Sequence, residues 1–298
     1  MVTIGSRGSQ LALWQSNWVA ARLNDLGVAT RIEVIKTTGD KITDVALSKV
    51  GTKGLFTKEL EEALLAGSID VAVHSLKDMP TELPEGLVLA AVPAREDPRD
   101  AILGRTLAEL PRGAKVGTSS LRRAAQLRAL RPDTAAENLR GNLDTRVRKL
   151  DEGQYDAILL AAAGLRRLGW ADRIAELLPV ETMCPAVGQG ALAIETRADA
   201  AEVVARLDHA ATRWAVTAER AVLAALGGGC QVPIGAHASV EGGELHLRAV
   251  VISPDGATRV AREAAGPAGS AEQLGKGLGE ELLAGGARDI LESVYGAA

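Results

Sequence analysis

The sequence predicts an α/β protein made of two α/β units with mainly parallel sheets, followed by a small C-terminal α+β domain. Short β-like runs alternate with helical patterns through the first two thirds, which is the signature of βαβ units. A polar stretch at 93–100, rich in Pro, Arg and acids, interrupts that alternation and reads as a hinge or boundary. Beyond about residue 234 strands follow one another through Gly or Pro-Asp-Gly turns with no helix between them, an antiparallel arrangement.

The elements follow in order. Residues 2–5 read as a strand; Ser9 then caps a helix whose apolar positions Leu11, Trp14, Trp18 and Ala21 recur at helical spacing until Gly27 stops it. Strands at 32–36, 69–74 and 87–92 and a helix at 57–66 complete the first unit. The second has strands near 114–116, 134–137 and 156–162, and helices from 121 to about 130 and from 142 to 151. It closes near 179–185; one more strand is expected at 191–196 and a long helix at 209–226. Strands at 234–240, 244–252 and 258–264 then lead to helices near 271–283 and 287–294.

Composition narrows the function. The 298 residues are 47% hydrophobic and 24% charged, ordinary globular usage. Four Trp, two Tyr and one Phe leave little material for base stacking, and a net charge of −4 argues against a general affinity for polyanions, so no nucleic-acid partner is expected. No run approaches the roughly 20 apolar residues of a membrane helix. The N-terminus has no apolar run after a basic start, so no secretory signal is read there and the expected compartment is the cytoplasm. Cys184 and Cys230 and the four scattered histidines show no metal spacing; no metal site is expected.

Charge is unevenly distributed. Residues 112–149 hold ten basic residues against three acids, a net +7 in a chain of −4, which leaves −11 elsewhere. Arg128, Arg131, Arg148 and Lys149 read as solvated helix faces. Arg122, Arg123, Arg140 and Arg146 differ by placement. The loop 117–120 lies between a strand and a helix, where free N–H groups and the helix dipole favour an anion, and Arg122 and Arg123 add guanidinium forks in that helix's first turn. Arg140 precedes the next helix and Arg146 sits within it, so all four reach the strand-end crevice where open α/β sheets bind ligands. Such forks suit carboxylates; phosphate fits on charge, but no GxxxxGK[ST] is present.

HSLKDMP at 74–80 directly follows an apolar strand, so Lys77 and Asp78 either face the crevice mouth or are polar turn residues. Three glycines, 227–229, precede Cys230 after the long helix. One stops a helix; three imply close approach of the loop to something, which makes Cys230 a candidate nucleophile or attachment point, the other reading being a small buried hydrophobe. Buried packing is the reading for Cys184.

In chain order, SRGSQLA (6–12), GLFTKEL (54–60), HSLKDMP (74–80), REDPRD (95–100), GTSSLRR (117–123), RGN (140–142), PAVGQG (185–190) and GGCQVPIG (228–235) resemble the hydroxymethylbilane synthase, or porphobilinogen deaminase, family over essentially the whole chain. The resemblance implies three domains: 1–93 with 190–208, 98–185, and 212–298, the first two being lobes like those of periplasmic binding proteins. It implies a monomeric transferase of tetrapyrrole biosynthesis that joins four porphobilinogen molecules head to tail, releasing ammonia each time, to give the linear hydroxymethylbilane. It also implies one dipyrromethane cofactor per chain, held by a thioether to Cys230. Asp78 would stabilise the cationic pyrrole left when ammonia departs, with Arg7 and Lys77 beside it. Ser75, Lys77, Asp78, Thr118, Ser120, Arg122, Arg123, Arg140 and Gly141 would hold the cofactor; Arg7, Ser9, Lys53, Phe56, Arg140, Arg146, Arg167 and Gln189 would meet the substrate. The rival reading from another class is a non-catalytic two-lobed binding protein for an organic anion, which leaves the Gly-Gly-Gly-Cys loop and the third domain without a role.

Overall fold

The computed structural model describes residues 1–38, 57–227 and 232–295. Strand β1 (Val2–Ser6) feeds helix α1 (Gln10–Asp25), where Ser9 Oγ accepts from the Ala12 N–H at 3.3 Å as the predicted N-cap. β2 (Thr30–Val34), α2 (Lys58–Leu65), β3 (Val71–Ser75) with its terminal 3₁₀ turn Leu76–Asp78, and β4 (Leu87–Ala91) follow. Then come β5 (Asp100–Leu103), β6 (Lys115–Gly117), α3 (Leu121–Leu130), β7 (Ala135–Glu137), α4 (Leu143–Asp151), β8 (Ala157–Ala161), α5 (Ala162–Arg167) and β9 (Ile174–Leu178). The chain returns through β10 (Leu192–Arg197) and 3₁₀ turns over Ala198–Leu207 to α6 (Ala210–Ala225). It finishes with β11 (Ile234–Glu241), β12 (Glu244–Ile252), β13 (Arg259–Pro267), α7 (Ala271–Leu282) and α8 (Arg288–Tyr295).

Three sheets result. The first has the order β2-β1-β3-β10-β4, the second β7-β6-β8-β5-β9, and the third is the meander β11-β12-β13. The first two share one pattern. In each, two parallel pairs on one side (β1 with β2 and β3; β6 with β7 and β8) meet two antiparallel pairs on the other (β10 with β3 and β4; β5 with β8 and β9). The parallel character that the sequence predicts therefore holds for half of each sheet. The antiparallel strands β5 and β10 directly follow the two crossovers between the sheets, at 92–99 and 179–191, so each sheet takes a strand from the segment that enters it. β5, β9 and the six-residue α5 are not among the elements predicted from the sequence.

Apolar side chains fill both faces of each of these sheets. In the first, Val71, Val73 and Ile194 lie against Val19 and Leu23 of α1 on one face, and Ala72 with Leu60 and Leu64 of α2 on the other. In the second, Ile158, Leu160 and Leu139 fill one face and Val116, Leu159 and Leu127 the other. The buried side of α1 is Ala12, Gln15, Ser16, Val19, Ala20 and Leu23, rotated from the expected Leu11/Trp14/Trp18/Ala21 stripe. The large residues of that stripe are half-buried: Leu11 and Trp14 face the second unit, Leu11 approaching Gly164 and the Trp14 ring lying 5.9 Å from the Arg167 guanidinium carbon, whereas Trp18 packs against the first unit's own core beside Arg22. The third sheet packs on α6 and α7 with its own core, including Val222, Leu247, Val251 and Leu278.

Buried Glu219 of α6 joins the crossovers to the third sheet. It accepts from Arg95 Nη1 at 2.6 Å, the Gly188 N–H at 2.7 Å and the Ala238 N–H at 2.8 Å. Burial opposes its charge, but Arg95 and His237 bring its carboxyl down to about 2.

Candidate active site

A cleft of about 580 Å³ opens where the ends of β1 and β3 face the second unit. Its described lining includes seven cations (Arg7, Lys77, Arg123, Arg140, Arg146, Lys149 and Arg167) against two acids, Asp78 and Asp144. Ser9, Ser75 and Gly141 also border it. The sheet ends explain the convergence: β1 delivers Arg7, the 3₁₀ turn after β3 delivers Lys77 and Asp78, and α3, α4 with the loop before it, and α5 bring the arginines from the other side.

Like charges press on one another there. Burial, then the neighbouring Arg123, lowers Lys77 to about 8 despite Asp78 and Asp100. Burial together with Arg123 and Arg140 lowers Arg146 to about 10, with Asp78 opposing, and burial lowers Arg167 to about 10. Both arginines stay charged at neutral pH, so the cleft carries a strong positive field in which Asp78 is the carboxylate nearest Lys77 in sequence. Ser75 is fixed by Gln15, whose Nε2 donates to its Oγ at 2.9 Å.

Behind the wall lies Asp100, fully buried at the start of β5. Its Oδ2 accepts from Arg122 Nη1 at 2.7 Å; its Oδ1 accepts from Arg123 Nε at 2.8 Å and Gln189 Nε2 at 2.9 Å. Burial alone would raise this carboxyl, but the two guanidinium groups hold it far below the usual carboxylate range. Arg122 also donates to the Cys184 carbonyl at 2.6 Å. Cys184 itself is buried, its thiol pushed up to about 12 by that burial, an inert packing group.

Helix α4 braces the other rim. Arg146 Nε donates to the Gly141 carbonyl at 2.7 Å and Lys149 Nζ to the Arg140 carbonyl at 3.2 Å. Gly141, at φ +115°, lies so close to Thr145 that a Cβ would come within 2.6 Å of its Cγ2, so this turn admits only glycine without movement.

The expected site residues thus divide. Arg7, Ser9, Ser75, Lys77, Asp78, Arg123, Arg140, Gly141, Arg146 and Arg167 converge on the cleft. Thr118, Ser120, Arg122 and Gln189 do not border it. Ser120 is the N-cap of α3, accepting from the Arg123 N–H; the Thr118 hydroxyl accepts from the Ser120 N–H; and Arg122 and Gln189 are spent on Asp100. Lys53, Phe56 and Cys230 lie outside the described residues. Three helix-face expectations are corrected. Arg128 is half-buried because its Nη1 donates to the Pro254 carbonyl of the β12–β13 turn at 2.7 Å, and Lys149 borders the cleft. Arg131 is half-buried too, bonded to Asp133 and two backbone carbonyls, whereas Arg148 is exposed as expected. Asp100, Gln15 and Lys149 were missed as site residues. Asp100 stands in the quoted REDPRD motif, but only the tertiary fold shows what its carboxylate meets.

Two α/β units share a cleft in which Asp78 and Asp144 stand among seven cations, a lining whose chemistry suits an anionic ligand. Residues 2–205 match the family described as porphobilinogen deaminase, dipyromethane cofactor binding domain, and residues 214–284 match porphobilinogen deaminase, C-terminal domain. The chain belongs to the porphobilinogen deaminase family. It is 54% identical to the porphobilinogen deaminase of Geotalea uraniireducens over 98% of this chain and 94% of that one, and 53% identical to that of Syntrophobacter fumaroxidans over 99% and 98%. Among solved structures, an ABC transporter periplasmic substrate-binding protein from Coxiella burnetii overlaps at a TM-score of 0.43 and 14% identity, covering 70% of this chain and 91% of that one.

Proposed function

We propose that this protein joins four porphobilinogen molecules head to tail, with loss of ammonia at each addition, to give hydroxymethylbilane. It is a transferase of tetrapyrrole biosynthesis, with dipyrromethane as its cofactor. The observation that carries the reading is Asp78 set beside Lys77 in a cleft walled by Arg123, Arg140 and Arg146. A chain of pyrroles bearing acetate and propionate groups needs many cations, and a reaction that expels ammonia needs an anion where positive charge develops.

The donor set fits the cofactor. Cationic forks and ammonium groups on both sides of one cleft match a small molecule with several carboxylates. When bound, the dipyrromethane supplies the primer from which the chain grows. Cys230 is assigned its covalent attachment by the Gly-Gly-Gly-Cys sequence and the family resemblance. Arg123 and Arg140 hold carboxylates, and Asp100 fixes the direction of the Arg123 fork from behind. The Asp78 carboxylate is directed toward the carbon that loses ammonia. Lys77 Nζ, lowered to about 8, holds or releases a proton close to neutral pH. Arg7, Ser9, Arg146 and Arg167 take substrate carboxylates, and Lys53 and Phe56 are assigned the same neighbourhood.

The same reading includes the three-domain division at 1–93 with 190–208, 98–185 and 212–298, a monomeric state and a cytoplasmic location. Among the described residues no helix is long and apolar enough to cross a membrane. Intact-protein mass tests the assignment. After expression in a host that makes porphobilinogen, the wild type should exceed its sequence mass by two deaminated porphobilinogen units, and Cys230→Ser should not. Turnover should release four ammonia molecules per tetrapyrrole. An unmodified wild type without turnover would favour a binding protein for an organic anion.

A further inference from the structure

Lys149 lies one turn beyond Arg146 on α4, and both side chains border the cleft. Residues three apart share a helix face, so Arg146 and Lys149 form a cationic stripe along one wall. The two side chains hold successive carbonyls of one loop: Arg146 that of Gly141, Lys149 that of Arg140. The loop is tied by both, and at Gly141 it runs so near Thr145 that only a glycine fits there without movement. An ammonium carries three N–H donors on a flexible stem, so one bond to a carbonyl leaves it able to turn toward a stronger acceptor. A carboxylate is such an acceptor, because a charge-assisted bond is roughly twice as strong as a neutral one.

We propose that Lys149 is a carboxylate-binding residue for the growing chain, engaged after the ring held at Arg146, and that the incoming carboxylate draws it from the Arg140 carbonyl. This rests on the polymerising function above. Arg146 is close enough to Asp78 to feel its charge. The next turn of the helix is about 5 Å further along the wall, which suits a later ring. Exchange of acceptors loosens one of the two ties on the Arg140–Gly141 turn at the moment the chain lengthens, giving the rim room to yield while Arg146 still holds Gly141.

The test uses the full-length protein carrying its cofactor, given limiting porphobilinogen, with bound intermediates counted by intact mass. Lys149→Gln should carry the wild-type cofactor mass yet accumulate a partly grown chain at least fivefold over wild type, and Lys149→Arg should restore most of the wild-type distribution. A wild-type distribution in Lys149→Gln would overturn the proposal, as would equal stalling in Lys149→Arg. An amine-labelling footprint of the wild type removes dependence on how the variants fold. Labelling of Lys149 should drop at least threefold once two or more units are added, and unchanged labelling would refute the proposal. Failure of the wild type to gain any porphobilinogen unit would instead overturn the function on which it rests.

Discussion

Asp100 holds Arg123 from behind: its Oδ1 accepts from Arg123 Nε at 2.8 Å on the far side of the wall that Arg123 presents to the cleft. The same carboxylate holds Arg122, which is not part of the described lining of the cleft. Two adjacent arginines of one helix turn therefore have separate duties, set by which of them borders the cleft.

Asp100→Asn should be strongly destabilising, by about 3–5 kcal/mol, because it leaves two buried guanidinium groups facing a neutral amide. Thermal and urea unfolding report the loss. A change below about 1 kcal/mol would mean that the cluster is more open to solvent than its burial indicates.

Arg122→Leu and Arg123→Leu should fail differently. Arg122→Leu should lower the melting temperature while any protein that folds still assembles its cofactor. Arg123→Leu should impair cofactor assembly or chain growth, visible as a missing or stalled mass. Identical mass patterns at matched stability would contradict the division.

Asp78→Asn should keep fold and cofactor and cut kcat by well over tenfold, since shape is retained while the charge facing a developing cation is lost. Retention of more than about a tenth of wild-type kcat, a loss of less than about 1.4 kcal/mol, would exclude Asp78 as the main stabiliser of that charge.

Lys77 and Glu219 both make stability rise with pH, in two separate windows. Lys77 is lowered to about 8, so the unfolded chain binds its proton more tightly between about 8 and 10.5; this group makes the fold relatively more stable as pH rises through that window. Carboxylate binding moves the other way, and KM for porphobilinogen should rise above pH 8 as Nζ loses its charge, with Lys77→Arg moving the rise to higher pH. Glu219, lowered from 4.5 to about 2, contributes stability that is present above pH 4.5 and lost as pH falls toward 2. That contribution is about 3 kcal/mol by linkage. Glu219→Gln should flatten the acid limb of a stability profile.

Arg128→Leu should cost about 1 kcal/mol by removing the bond from α3 to the β12–β13 turn, without stalling chain growth. Gly256→Ala in that turn should cost more, about 2 kcal/mol or above, because φ is +78° and the new Cβ would lie 2.7 Å from the Ala129 nitrogen. Chemical denaturation of both variants compares the two contacts.

The sequence by itself determined the α/β units, the C-terminal meander, the N-cap at Ser9, and the basic character of the second unit. These are local facts: periodicity, turn chemistry and charge along a short stretch of chain. Its motifs also named Lys77, Asp78 and most of the arginines that reach the cleft. Tertiary structure alone decided how the arginines are divided, because Arg122 and Arg123 are neighbours in sequence and only the seat of Asp100, 22 and 23 residues away, separates their roles. It likewise placed Lys149 on the cleft wall and Arg128 against the third sheet. A charged residue on an amphipathic helix has the same local signature whether water, a backbone carbonyl or a ligand lies beyond it, and that is settled only by what the rest of the chain packs opposite.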